Sequence, residues 1–385
     1  MASFESRGEP LEPIHGIEAF TSVSASGGAS RAAQALGMAA TVSRPDASAD
    51  LQDDADELGV PQLAAQPELL ELYSQPGRLD DITELEIGHY GDSQAELWDG
   101  VNRDRSVTTL LALLNVMQND VSDVAAVAAT VGLGALVGTV AQDTAFRALN
   151  SQDELARGVA FAAFEPLPQH PRPTPDVLTR ERQLSTTING TWGLVDDSGW
   201  YQPGSAMHDR LRFPLTPNLY EKSDYFGWSG EYSDHARWAA ARDLLTWRDA
   251  RSQSQSLDTV YAHSHGGTVA LNAAELGQKI RLLVLLHTPA VPRAPHQWAA
   301  IRGNIRRVVA MRTRMDLVVL ADILKSNSRQ KFDAAYLPHS PVVRHWRERD
   351  AWFSHGFYVN RANWDRLNLL NIVERESSYA TGWPD

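Results

Sequence analysis

The segment Leu257-Asp-Thr-Val-Tyr-Ala-His-Ser264-His-Gly-Gly-Thr-Val-Ala-Leu271 carries a β-branched run into Ala-His-Ser-His-Gly and then, with no linker, into an Ala-rich helical pattern. A strand that passes so abruptly into a helix belongs to sheets covered by helices. The sharp turn strains the backbone of Ser264 and requires small side chains two residues to either side; Ala262, Gly266 and Gly267 meet that need. Such a turn aims the Ser264 hydroxyl at solvent above the sheet. It also sets the His265 N–H at the start of a helix, where a developing oxyanion is stabilised. This is the small-x-Ser-x-Gly form of a nucleophile elbow, with Ala262 at the first small position. The bland alternative is an ordinary strand–turn–helix with a chance serine.

The surroundings repeat the rhythm. Thr186–Asn189, Thr259–Ala262, Leu282–Leu286 and Val308–Met311 are short apolar runs, and helical stretches such as Asp234–Asp249 and Gly267–Leu276 lie between them. Buried strands alternating with helices predict an α/β fold with a mostly parallel sheet covered on both faces. Ligands in such folds bind beyond the carboxyl ends of the strands.

Charge divides the chain. Residues 1–180 hold 27 Asp and Glu against 10 Arg and no Lys, a net −17, whereas 181–385 hold 21 acids and 25 bases, a net +4. Trp98 is the only one of 11 tryptophans before residue 181. Two compositions in 385 residues suggest two units. Residues 1–60, rich in Ala, Ser, Gly and Asp without an apolar period, read as a weakly ordered arm. Residues 61–165 read as a helical N-terminal domain. The loose likeness of Asp123-Val-Ala-Ala-Val-Ala and Asp153-Glu-Leu-Ala-Arg-Gly-Val-Ala hints at helical repeats within it. Residues 166–180, opening on Pro-Leu-Pro-Gln-His-Pro-Arg-Pro-Thr-Pro, read as a linker, and 181–385 as the catalytic domain.

Several classes are excluded. An acidic half without basic clusters repels a phosphate backbone, so no nucleic-acid partner is expected. The absence of Cys removes disulfides, thiolate nucleophiles and Cys-ligated metals together. Val124–Ala141 carries no charge, but it is mostly Ala, Gly and Thr and is flanked by Asp123 and Asp143, so it reads as a buried helix and no integral membrane span is expected. The start, Met-Ala-Ser-Phe-Glu-Ser-Arg-Gly, lacks the regions of a secretion signal; a cytoplasmic protein, or one exported without a cleaved signal, is expected.

Through this elbow the chain resembles the α/β-hydrolase superfamily, in particular its serine esterase and lipase members, over about residues 180–370. The resemblance implies an α/β-hydrolase fold preceded here by the mainly helical region. Asn189-Gly190-Thr191-Trp192-Gly193 looks like the family's oxyanion loop, with Asn189 in place of the usual His, and implies Thr191 as a second oxyanion donor beside His265. Tyr225-Phe-Gly-Trp228-Ser-Gly230 is similar to another family stretch, with core packing as its plain reading. The family order of Ser, acid, His implies Asp316, just past the Val308–Met311 run, as the orienting acid, with Asp322 as the alternative. It implies His355, in Trp-Phe-Ser-His-Gly-Phe-Tyr, as the base, with His339 as its rival; His345 also follows Asp316. His263 and His265 flank the nucleophile and cannot serve as its base. His263, Trp192 and Trp228 are candidates to line the substrate pocket.

The function expected is hydrolysis of a small-molecule or lipid carboxylic ester through an acyl-enzyme on Ser264, with no cofactor and no metal, since neither a His-Glu-x-x-His run nor a calcium-loop pattern occurs. The same triad serves amidases and acyltransferases. A non-catalytic hydrolase-like scaffold is the alternative from another class. The acidic half is a candidate surface for a second copy of the chain or for another protein.

Overall fold

Five parallel strands form the central sheet: β1 (Thr186–Ile188), β2 (Ser256–His263), β3 (Lys279–Leu286), β4 (Ile305–Thr313) and β5 (Val343–Glu348), hydrogen-bonded in that order. The computed structural model describes residues 25–48, 51–164, 181–191, 199–333, 336–337, 343–348 and 352–383. The Pro-rich stretch 166–180, Trp192 and His339 lie outside the described residues.

Alternation along the strands serves two helical layers. Val260, Ala262, Leu283, Leu285, Val308 and Ala310 face a core shared with Ala241, Leu244 and Trp298, whereas Tyr261, Leu282, Val284, Leu286, Val309 and Met311 face Trp364, Leu370 and Val373. Burial on both faces is why these strands read as near-continuous apolar runs. The architecture is therefore α/β, with a parallel sheet covered by helices.

The first half of the chain is helical: α1 (Ala25–Ser43), α2 (Arg78–Tyr90), α3 (Gln94–Asp104), α4 (Val107–Met117), α5 (Asp123–Val137), α6 (Gln142–Leu149) and α7 (Glu154–Phe164), with shorter turns between some of them. Residues 1–24 lie outside the described residues; within the stretch 1–60, expected as a weakly ordered arm, Ala25–Ser43 instead form helix α1. Its Ala32, Ala33, Ala35, Ala39 and Ala40 are fully buried, packed with Ala125, Ala128 and Ala129 of α5. Small residues let the two backbones approach: a Cβ on Gly132 would sit 3.3 Å from the Ala39 Cβ. Alanine is the best helix former, but a helix enclosed on every side shows no apolar stripe, and this is why the stretch looked featureless as sequence.

Helix α5, the uncharged run, is buried in the same core and packs against α1, α4, α6 and α7 rather than stacking with only its sequence neighbours as a solenoid would. Among the described residues, no helix is long and apolar enough to cross a membrane.

This helical layer is not set apart from the sheet. The main helices between the strands are α8 (Asp234–Arg251), α9 (His265–Glu275) and α10 (Pro295–Asn304), and the helix after β4, α11 (Leu317–Ser326), buries Leu317, Leu320, Ala321 and Ile323 in the core of α1, α5 and α7. Asp54, 1% exposed, is paired with Arg312 at 3.3 Å, Arg314 at 3.0 Å and Arg347, joining the first half of the chain to the ends of β4 and β5.

Candidate active site

Four consecutive strands end on one edge of the sheet, and each delivers a residue or loop to the same place. Asn189–Thr191 follow β1, Ser264 follows β2, His287 follows β3 and Asp316 follows β4.

Between β2 and helix α9 (His265–Glu275) there is one residue, Ser264. Turning a strand into a helix over a single residue drives it to φ 51° and ψ −135°, a strained conformation for a residue with a Cβ. The Ser264 N–H donates to the Leu286 carbonyl at 2.8 Å, which fixes the turn to β3. The flanking glycines make room. A Cβ on Gly266 would lie 2.4 Å from the Asn189 carbonyl oxygen, and one on Gly267 would lie 2.0 Å from Thr288 Oγ1. A Cβ on Gly190 would lie 2.8 Å from the Ser264 Cβ, so the loop after β1 passes directly against the serine. His265 occupies the first position of α9.

Asp316 caps α11. Its Oδ1 accepts the Val318 and Val319 N–H groups at 3.0 and 3.2 Å, and its Oδ2 accepts from His355 Nδ1 at 2.7 Å. One carboxylate therefore closes a helix and holds an imidazole, and the positive end of the helix favours its charge. The His355 loop is tied to the end of β4: the Met315 and Leu317 N–H groups donate to the Trp352 and Phe353 carbonyls at 2.8 and 3.3 Å, and the Tyr358 hydroxyl donates to the Arg312 carbonyl at 3.1 Å. His263 Nε2 sits 3.0 Å from the His355 carbonyl oxygen.

Ser264, His355, Thr191, His263 and His265 all line one cavity of about 480 Å³. The acidic half of the chain contributes to the cavity's lining through Glu154, Leu155, Arg157 and Phe161 of α7, together with Val318 and Val319 of α11. Trp228 does not line it. The expectation of a substrate-contacting Trp228 is corrected: it is 1% exposed, and its indole N–H, which needs an acceptor when buried, donates to the Asn189 carbonyl at 2.7 Å. It braces the loop before Thr191 instead. His345 bonds the Phe332 carbonyl at 2.8 Å from within β5.

Two features were not expected from the sequence, the pairing of Asp322 with His265 and the placement of His287. Asp322 is the buried partner of His265, at 3.1 Å from its Nε2, and also accepts from Tyr232, Ser326 and Ser328. Burial opposes ionisation of Asp322, but His265 and these hydroxyls outweigh it and hold its carboxyl well below the usual range. Burial in turn pulls His265 below its ordinary value against the attraction of Asp322, leaving a neutral ring that donates from Nε2 and accepts at Nδ1 from the Thr268 hydroxyl. This network anchors the residue that follows Ser264. The second feature is His287, 2% exposed at φ 50°, with ring centroids 5.4 Å from His355 and 6.2 Å from His263. Burial, and then the neighbouring His355, pulls its imidazole well below the ordinary value, so it stays neutral.

Comparison with protein-family models, with curated proteins and with solved structures finds no match to this chain.

Proposed function

We propose that the protein is a serine hydrolase of the α/β-hydrolase type that cleaves carboxylic esters. The reading rests on one observation: a serine on a strained strand-to-helix turn shares a cavity with a histidine whose Nδ1 is held by a buried carboxylate at 2.7 Å. In this reading His355, with Nδ1–H on Asp316, accepts the Ser264 proton at Nε2 as Ser264 Oγ attacks the acyl carbon. The His265 and Thr191 N–H groups stabilise the oxyanion, each worth on the order of 3 kcal/mol. His355 returns the proton to the leaving alcohol, and water then hydrolyses the acyl-enzyme. Leu155, Phe161, Val318 and Val319 give the cavity an apolar wall that suits an apolar acyl or alcohol group.

The test is covalent labelling of the full chain with a fluorophosphonate, together with turnover of a short p-nitrophenyl ester. Label and turnover are expected in the wild type and lost in Ser264→Ala with the circular dichroism unchanged. Labelling or turnover that survives Ser264→Ala refutes the assignment. A chain-length series of esters with a phospholipid then separates esterase from lipase and phospholipase.

A further inference from the structure

The sheet edge brings together three histidines far apart in the chain, His263, His287 and His355, so that one ring nitrogen from each lies within 4.8 Å of the other two. Their ring centroids are 4.6, 5.4 and 6.2 Å apart. Three imidazoles bound to one tetrahedral metal at about 2.05 Å per bond hold their centroids roughly 5 Å apart, a value inside the observed spread.

The outer contacts also fit. His355 Nδ1 is engaged by Asp316 at 2.7 Å and His263 Nε2 by the His355 carbonyl at 3.0 Å. A metal-ligating histidine takes this arrangement, one nitrogen on a carboxylate or carbonyl and the other turned to the ion. His355 Nε2 and His263 Nδ1 are the nitrogens left over.

His287 is the independent observation. It is 2% exposed, neither ring nitrogen has a hydrogen-bond partner among the described residues, and its Nε2 stands 3.9 Å from Asp316 Oδ2, beyond bonding length. Its positive φ is unfavourable for a residue with a side chain. A strained backbone carrying an unsatisfied buried imidazole is retained where a site needs it.

We propose that His263, His287 and His355 form a binding site for a divalent transition metal of the Zn²⁺ class, with a fourth position open to the cavity. Three imidazoles favour Zn²⁺, Co²⁺ or Cu²⁺ over Ca²⁺ and Mg²⁺, which take oxygen ligands. One consequence rests on the hydrolase reading above: His355 cannot ligate a metal and accept the Ser264 proton through the same nitrogen, so a bound metal switches hydrolysis off.

The experiment uses the full chain stripped by a chelator, dialysed against Zn²⁺ for stoichiometry and titrated with Co²⁺ as a visible-absorption probe. One ion per chain is expected, with tetrahedral Co²⁺ bands that Zn²⁺ displaces and ester turnover that falls in step with occupancy. His287→Asn, which tolerates positive φ, should weaken binding at least about 100-fold. His296→Ala, at an exposed position, should bind as the wild type does. Absence of a stoichiometric ion, absence of tetrahedral bands in wild-type protein, or unchanged affinity in folded His287→Asn overturns the site. The wild-type spectrum decides the matter if that variant does not fold. Metal binding without turnover in the stripped protein sinks the hydrolase reading and leaves the site standing, whereas full turnover with the ion bound overturns the switch.

Discussion

Asp316 does two jobs on separate oxygens, so two substitutions should pull them apart. In Asp316→Asn the retained carbonyl oxygen still accepts the Val318 and Val319 N–H groups, now at 3.0 and 3.2 Å from Oδ1. The variant loses only the interaction of the charge with the helix end, about 0.5–1 kcal/mol. Its amide NH₂ faces His355 Nδ1, however, and a donor there forces that nitrogen to accept, moving the ring proton to Nε2, where the Ser264 proton has to arrive. A wrong tautomer of this kind lowers kcat on the order of 10⁴-fold. In Asp316→Ala both capping bonds go, about 1–2 kcal/mol, and the acceptor for His355 Nδ1–H goes with them, about 1 kcal/mol more. The expected pattern is two inactive proteins of unequal stability, with the Ala variant roughly 2 kcal/mol below the Asn variant. Ester turnover per mole of folded protein gives kcat, and urea unfolding gives stability. An Asn variant that keeps more than roughly a tenth of wild-type kcat, or equal stability losses in the two variants, refutes the division of labour.

Ser264→Gly should be about 1 kcal/mol more stable than Ser264→Ala, because glycine releases the strain at φ 51° at some cost in chain entropy; equal urea midpoints would show that the turn stores nothing. Asp54→Ala strips the buried partner from Arg312 and Arg314 and should cost about 3–5 kcal/mol, measured by urea unfolding, with a loss below about 1 kcal/mol counting against it. Burial pulls His208, His265 and His287 below the ordinary imidazole value. Below about pH 6.5 the unfolded chain binds protons that these folded histidines refuse, so stability is intact above that pH and falls beneath it, by up to about 1.4 kcal/mol per histidine per pH unit. A urea midpoint unchanged between about pH 7.5 and 5.5 would sink that reasoning.

What was legible in the sequence was local. The Ser264 turn is written in eight contiguous residues because its strain demands small neighbours at fixed offsets, and Asp316 follows its strand directly, so the same logic reaches it. His287 was equally reachable. It stands one residue past Leu286, which pairs with His263 in the parallel register, and the residues beyond adjacent carboxyl ends must converge. Asp322 was weighed as a rival to Asp316, although one turn and a half of helix separates them: Asp316 caps α11, whereas Asp322 lies within it and reaches His265. Helix α1 was not legible, because periodicity reports a boundary between core and water and α1 has almost none.

The division of charge carries a different meaning once these contacts are known. A net −17 in the first half and +4 in the second suggested separate units, yet the acidic half lines the cavity that holds Ser264, and its Asp54 sits among arginines that end β4 and β5. Arg312 and Arg314 lie four and two residues before Asp316 in the chain, and Asp54 pairs with both. The acidic half therefore neutralises basic residues at the ends of β4 and β5 as well as lining part of the cavity. Composition alone could show only that the two halves differ. The pairing of Asp54 shows that the difference is complementary, and it implies that residues 181–385 expressed without the first half would expose an apolar face of α11 and take the buried carboxylate away from Arg312, Arg314 and Arg347.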